Sequence, residues 1–131
     1  MNHLHIPLIK TIFESADVVD LPLWISGGWA IDARLGRVTR QHADIDLTFP
    51  ADRRDEFDTL IHQLGGSITE FTEYGFLVTV EKVLLDCEPA YLNHSIYQIE
   101  DTPAGSCPMA KEGVIDQLQI RCNSWAAILW D

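Results

Sequence analysis

The residues best suited to chemistry in this chain are a pair of aspartates in Asp44-Ile45-Asp46, a glycine pair upstream at Gly27-Gly28, and a third acid, Asp86. Written as a strand, Ala43 to Phe49 alternates strictly, so Asp44, Asp46 and Thr48 take one side and Ile45, Leu47 and Phe49 the other. If the apolar side enters a core, the two carboxylates share the opposite, solvent-reached side. Like charges at that spacing repel unless a cation sits between them, and hard oxygen ligands suit Mg²⁺. The implied chemistry is metal-dependent transfer of a nucleotidyl group.

The surrounding residues fit the same reaction. A strand entering Gly27-Gly28 and then a helix exposes backbone N–H groups at a helix start, a cradle for triphosphate oxygens. Asp44 and Asp46 are the expected Mg²⁺ ligands, with the ion bridging those oxygens. Asp86 either completes a second metal position or accepts the proton of an attacking hydroxyl. Glu88 shares its strand face and is placed to meet a substrate ammonium group. Arg40 is read as a phosphate contact, Tyr74 as a substrate-facing aromatic, and His42 as structural.

These residues need elements to hold them. Leu8, Ile9, Ile12, Phe13 and Ala16 recur at helical spacing, which predicts a helix over about 6–19 with Pro7 in its first turn. Residues 21–26 read as a buried strand ending at the glycine pair, followed by a short helix from Trp29 to Leu35 that Gly36 stops. After the acid-bearing strand, Phe57, Leu60, Ile61 and Leu64 form another helical stripe closed by Gly65-Gly66. Residues 75–81 and 83–88 alternate and meet near Glu81-Lys82, the pattern of an antiparallel hairpin. The stretch 89–117 is weakly patterned and reads mostly as loop with short strand or helix pieces. Residues 118–122 suggest a last strand, Asn123 a helix N-cap, and Trp125 to Trp130 the apolar part of a helix of about nine residues that runs to the end of the chain, too short to hold without packing on something.

Bulk properties narrow the classes. A chain of 131 residues with 47% apolar and 22% charged residues suits one ordinary globular domain. No apolar run approaches the roughly 18–20 residues needed to span a bilayer, and the N-terminus lacks a signal-peptide pattern, so no membrane is expected and the default location is the cytoplasm. Cys87, Cys107 and Cys122 have no C-x-x-C spacing and read as buried, reduced side chains. Nine basic against twenty acidic residues give a net charge of −11, which argues against a nucleic acid partner and suits a cationic small molecule.

Leu21 to Arg40, with Ser26-Gly27-Gly28-Trp29 at its centre, then Asp44-Ile45-Asp46-Leu47-Thr48-Phe49-Pro50, resembles the aminoglycoside 2''-O-nucleotidyltransferases. Leu84-Leu85-Asp86-Cys87-Glu88-Pro89-Ala90, Gly105-Ser106-Cys107-Pro108 and Arg121-Cys122-Asn123-Ser124-Trp125 continue the resemblance. It covers nearly the whole chain, and the lincosamide nucleotidyltransferases resemble it more distantly. The resemblance implies an α/β (α+β) polymerase beta-like nucleotidyltransferase fold, with a mixed sheet flanked by helices, occupying residues 1–131. It also implies AMP transfer from Mg·ATP, with two Mg²⁺, to the 2''-hydroxyl of an aminoglycoside. Asp44, Asp46 and Asp86 are then catalytic residues and metal ligands, with Asp86 as proposed base. The resemblance adds Glu88 and Asp131 as antibiotic contacts, beside Gly27, Gly28 and Arg40 read from the residues as nucleotide-binding and Tyr74 as substrate-facing. Relatives are expected to continue past Asp131 into a helical segment, and Ala126 stands where an acid is expected.

Two other readings stay open: a nucleotidyltransferase for a lincosamide or other small hydroxylated molecule, and a minimal domain that binds metal or nucleotide without turnover. The apolar segment from Trp125 to Trp130 leads to the expectation of a homodimer that buries it.

Overall fold

Alternation along β2 (Ile45–Pro50) sets the layering of the molecule. Ile45, Leu47 and Phe49 are buried against helices, while Asp46 is half-buried on the other side. The computed structural model describes residues 1–130, so Asp131 lies outside the described residues.

The main sheet has six strands. β1 (Trp24–Ser26) pairs antiparallel with β2, and β2 pairs parallel with β5 (Val83–Asn93). Antiparallel neighbours β4 (Phe76–Val80) and β3 (Ser67–Phe71) follow, and β6 (Ile96–Ile99) pairs with the far end of β5. This is a mixed sheet, as expected. A small second sheet joins β7 (Gly113–Ile115) to β8 (Leu118–Ile120).

Three helices cover one face. α1 (Asn2–Val18) contributes Ile9, Ile12, Phe13 and Ala16 to the core, α2 (Gly27–Leu35) contributes Trp29, Ala30 and Ala33, and α3 (Arg54–Gln63) contributes Phe57, Leu60 and Ile61. They meet Ile25, Leu47, Phe76, Val78, Leu85 and Cys87 from the strands, so each strand turns its apolar alternate residues towards the helices. α2 stops where Gly36 adopts a left-handed conformation at φ 74°.

Several boundaries differ from the sequence reading. α1 begins at Asn2 rather than near residue 6, with Pro7 inside it, because Asn2 and His5 make contacts distant in sequence. The strand expected over 21–26 keeps only three paired residues, although Leu21 and Leu23 are still buried. β3 was not anticipated, and β5 runs on to Asn93 through a stretch read as loop. Ser124, not Asn123, caps α4 (Trp125–Ile128), its hydroxyl accepting a hydrogen bond from the Ala127 amide. α4 is four residues long rather than nine, and Leu129 and Trp130 beyond it are exposed.

The acid-bearing face is not open along its whole length. Trp24, Ala90, Tyr97, Ile99 and Cys107 form a second cluster on it, and Thr48 is fully buried. The end carrying Asp44, Asp46, Asp86 and Glu88 is half-exposed.

Candidate active site

Parallel pairing of β2 with β5 places Asp46 opposite Asp86 and Thr48 opposite Glu88. On its other side β2 pairs with β1, which sets Ser26 opposite Asp46. One row across the sheet therefore reads Ser26, Asp46, Asp86, and alternation sends all three side chains to the face away from the helices. Asp44 enters β2 from the preceding loop.

Gly27 fits this row closely. Its φ is +58°, and a Cβ there would stand 1.9 Å from an Asp46 carboxylate oxygen. Only glycine meets both demands. The start of α2 thus abuts Asp46, and no side chain caps its amides. At Gly28 an added Cβ would lie 2.4 Å from an Arg40 guanidinium nitrogen and 2.8 Å from His42 Nδ1. Arg40 consequently leans over the same helix start.

The four carboxylates perturb one another. Asp46 is pushed up to about 7 by burial and then by the charges of Asp44, Asp86 and Glu88. Burial followed by Asp44 raises Asp86, and burial followed by Asp86 raises Glu88. None of the four takes part in an ion pair among the described residues. Such uncompensated acids in one recess are a physical mark of a functional site. The donor set suits a hard divalent cation, although among the described residues no three His, Cys, Asp or Glu side chains are already drawn together as ligands.

A buried polar network backs the row. Ser26 and Thr48 hydroxyls lie 2.6 Å apart, Ser26 also donates to Asn123 Oδ1, and Thr48 donates to the same oxygen at 3.2 Å. Asn123 Nδ2 donates to the Ser106 carbonyl at 3.2 Å. The sequence reading gave Thr48 only as a neighbour of the acids and Asn123 only as a helix cap, because the partners in this network lie far apart along the chain. It missed Asp32, although an acid between Trp29 and Ala33 on a short apolar helix was a visible signal.

Of the residues singled out from sequence, Gly27, Gly28, Arg40, Asp44, Asp46, Asp86 and Glu88 come together at one end of the sheet. Tyr74 is exposed in the turn before β4, where a Cβ on Gly75 would lie 3.1 Å from the Glu88 Cα. His42 is buried, in line with its structural reading. The three cysteines are free and buried, and burial raises each thiol's pKa.

A mixed sheet with helices on one face is the architecture of the polymerase beta-like nucleotidyltransferases. Residues 8–128 match the Aminoglycoside-2''-adenylyltransferase family. A 2''-aminoglycoside nucleotidyltransferase of Klebsiella pneumoniae is 56% identical over 131 residues, spanning all of this chain and 74% of that protein. One of Escherichia coli is 55% identical over the same spans. The crystal structure of ANT(2'')-Ia in complex with adenylyl-2''-tobramycin superposes with a TM-score of 0.95 at 55% identity, covering 97% of this chain and 73% of that one. The chain belongs to the aminoglycoside-2''-adenylyltransferase family.

Proposed function

We propose that this chain transfers AMP from ATP to the 2''-hydroxyl of an aminoglycoside, releasing pyrophosphate. The observation that carries this reading is the row Ser26–Asp46–Asp86, closed by the start of α2 at Gly27.

Asp44 and Asp46, with Asp86, would hold Mg²⁺. When bound, it neutralises charge on the triphosphate and on the leaving pyrophosphate. The amides that open α2 and the Arg40 guanidinium orient the phosphates. Asp86, its basicity raised by burial and by Asp44, takes the proton of the acceptor hydroxyl as that oxygen bonds to the α-phosphorus. The bond from the α-phosphorus to the bridging oxygen breaks, and pyrophosphate leaves with its electron pair. Glu88 faces the acceptor and pairs with an ammonium group, with Tyr74 at the rim of the same recess. Asp131 is assigned to the acceptor on family resemblance.

Exposed Trp125, Leu129 and Trp130 support a covered surface, read as a contact with a second copy of the chain. Sedimentation at tens of micromolar checks it: a dimer is expected, and a monomer with both indoles solvent-quenchable contradicts it. Among the described residues no helix is long and apolar enough to cross a membrane.

The experiment for the main reading is product analysis after incubation with Mg·ATP and a panel of tobramycin, a derivative lacking the 2''-hydroxyl, and lincomycin. An AMP ester on tobramycin alone is expected. Modification of lincomycin instead would favour the lincosamide reading, and an absence of any ester would favour a domain without turnover.

A further inference from the structure

Arg40 reaches the start of α2 from a loop that has no regular structure of its own, covering residues 36–44 between α2 and β2. Such a loop needs anchors if its arginine is to stand in one place. The anchors come from an acid within α2. Asp32 is 2% exposed. Its carboxylate accepts from the Thr39 amide at 3.1 Å and from the Thr39 hydroxyl at 2.5 Å, and it pairs with His42 Nε2 at 2.7 Å. Both ends of the Arg40 segment are thus tied to one side chain.

The remaining contacts of the segment repeat the pattern. Asn2 donates from Nδ2 to the Arg40 carbonyl at 2.8 Å and accepts at Oδ1 from the His42 amide at 2.9 Å. The His42 ring lies against Trp29, with centroids 4.2 Å apart, and Trp29 Nε1 donates to His5 Nδ1 at 3.1 Å. His42 in turn closes on Gly28, where no Cβ would fit beside it. Burial opposes the Asp32 charge, but bonds from Thr39 and His42 outweigh it and hold its carboxyl below the usual range.

We propose that Asp32, acting through Thr39 and His42, is a positioning residue that fixes the Arg40 guanidinium over the start of α2 for the triphosphate of the nucleotide. This rests on the nucleotidyl-transfer reading. An arginine whose backbone is already tied on both sides loses less freedom when the phosphates arrive, so the effect of Asp32 falls on nucleotide binding rather than on the acceptor or the chemical step.

Two readouts test it. Hydrogen exchange of residues 37–42 in Asp32→Asn and Thr39→Val is expected to rise while the amides of β2 and β5 keep their protection, with Thr39→Ser restoring the wild-type pattern. Titration with the α,β-methylene analogue of ATP in Mg²⁺ is expected to show Arg40→Ala and Asp32→Asn each weaker by about tenfold. The double variant should be no weaker than Arg40→Ala alone, because residues acting through one contact are not additive. In turnover, KM for ATP should rise while kcat and the acceptor KM stay within roughly threefold. Unchanged exchange in Thr39→Val, or additive losses in the double variant, would overturn the proposal. A wild-type chain that binds no analogue counts against the nucleotidyl-transfer reading itself, and the exchange data still decide whether Asp32 holds the loop.

Discussion

In the metal-free chain Asp46 sits close to half-protonation at neutral pH, since its pKa of about 7 compares with an unperturbed 3.8. The folded state favours the protonated acid, so this stabilisation is complete at low pH and is lost as pH rises through about 7. Between roughly pH 4 and 7 the loss from this one group approaches about 1.4 kcal/mol per pH unit. Asp86 and Glu88 act in the same direction. Metal-free thermal stability measured from pH 5 to 8.5 should therefore decline, and Asp46→Asn should flatten the decline. An unaltered profile in the variant would remove the electrostatic basis of the site. The same variant should lose transfer by more than about a hundredfold, the upper end for residues that only support a metal ligand. Asp44→Asn is expected to behave likewise, and near-full activity in Mg²⁺ by either would contradict the metal assignment.

At the scale of elements, the decisive junction is β1 into α2. Gly27→Ala meets both a positive φ and the Asp46 carboxylate, so it should destabilise the fold by about 1–3 kcal/mol and abolish nucleotide binding together. Denaturant unfolding beside nucleotide titration checks both parts. A variant of full stability and affinity would mean that β1 and β2 are not so closely apposed. The junction was legible in sequence because glycine pairs, alternation and a D-x-D motif are local signals, and the acids of β2 and β5 do lie on the face that alternation assigned. Their neighbours were less legible. The residues of β3 are all exposed, so no buried face left a period to read. Asn123 reads as a cap by type, yet Ser26 and Thr48 claim its side chain, a tertiary contact that no local pattern carries. Likewise the start of α1 depends on Asn2 reaching residues 40 and 42.

The whole molecule carries a net charge of −11, and its acid recess opens within that field. A polycationic acceptor should bind less tightly as salt screens the field, by roughly tenfold between low and high ionic strength, while nucleotide affinity falls less. Equal losses for both ligands would point to a neutral acceptor. The central claim is that these acids carry out nucleotidyl transfer, with Asp86 taking the hydroxyl proton. Its most direct test is pyrophosphate release at saturating Mg·ATP and tobramycin, comparing the wild-type chain with Asp86→Asn. The wild type should turn over, and the variant should be slower by about 10²–10⁴-fold, the usual range for a lost general base. No release by the wild type, or equal rates for the two proteins, would contradict the account.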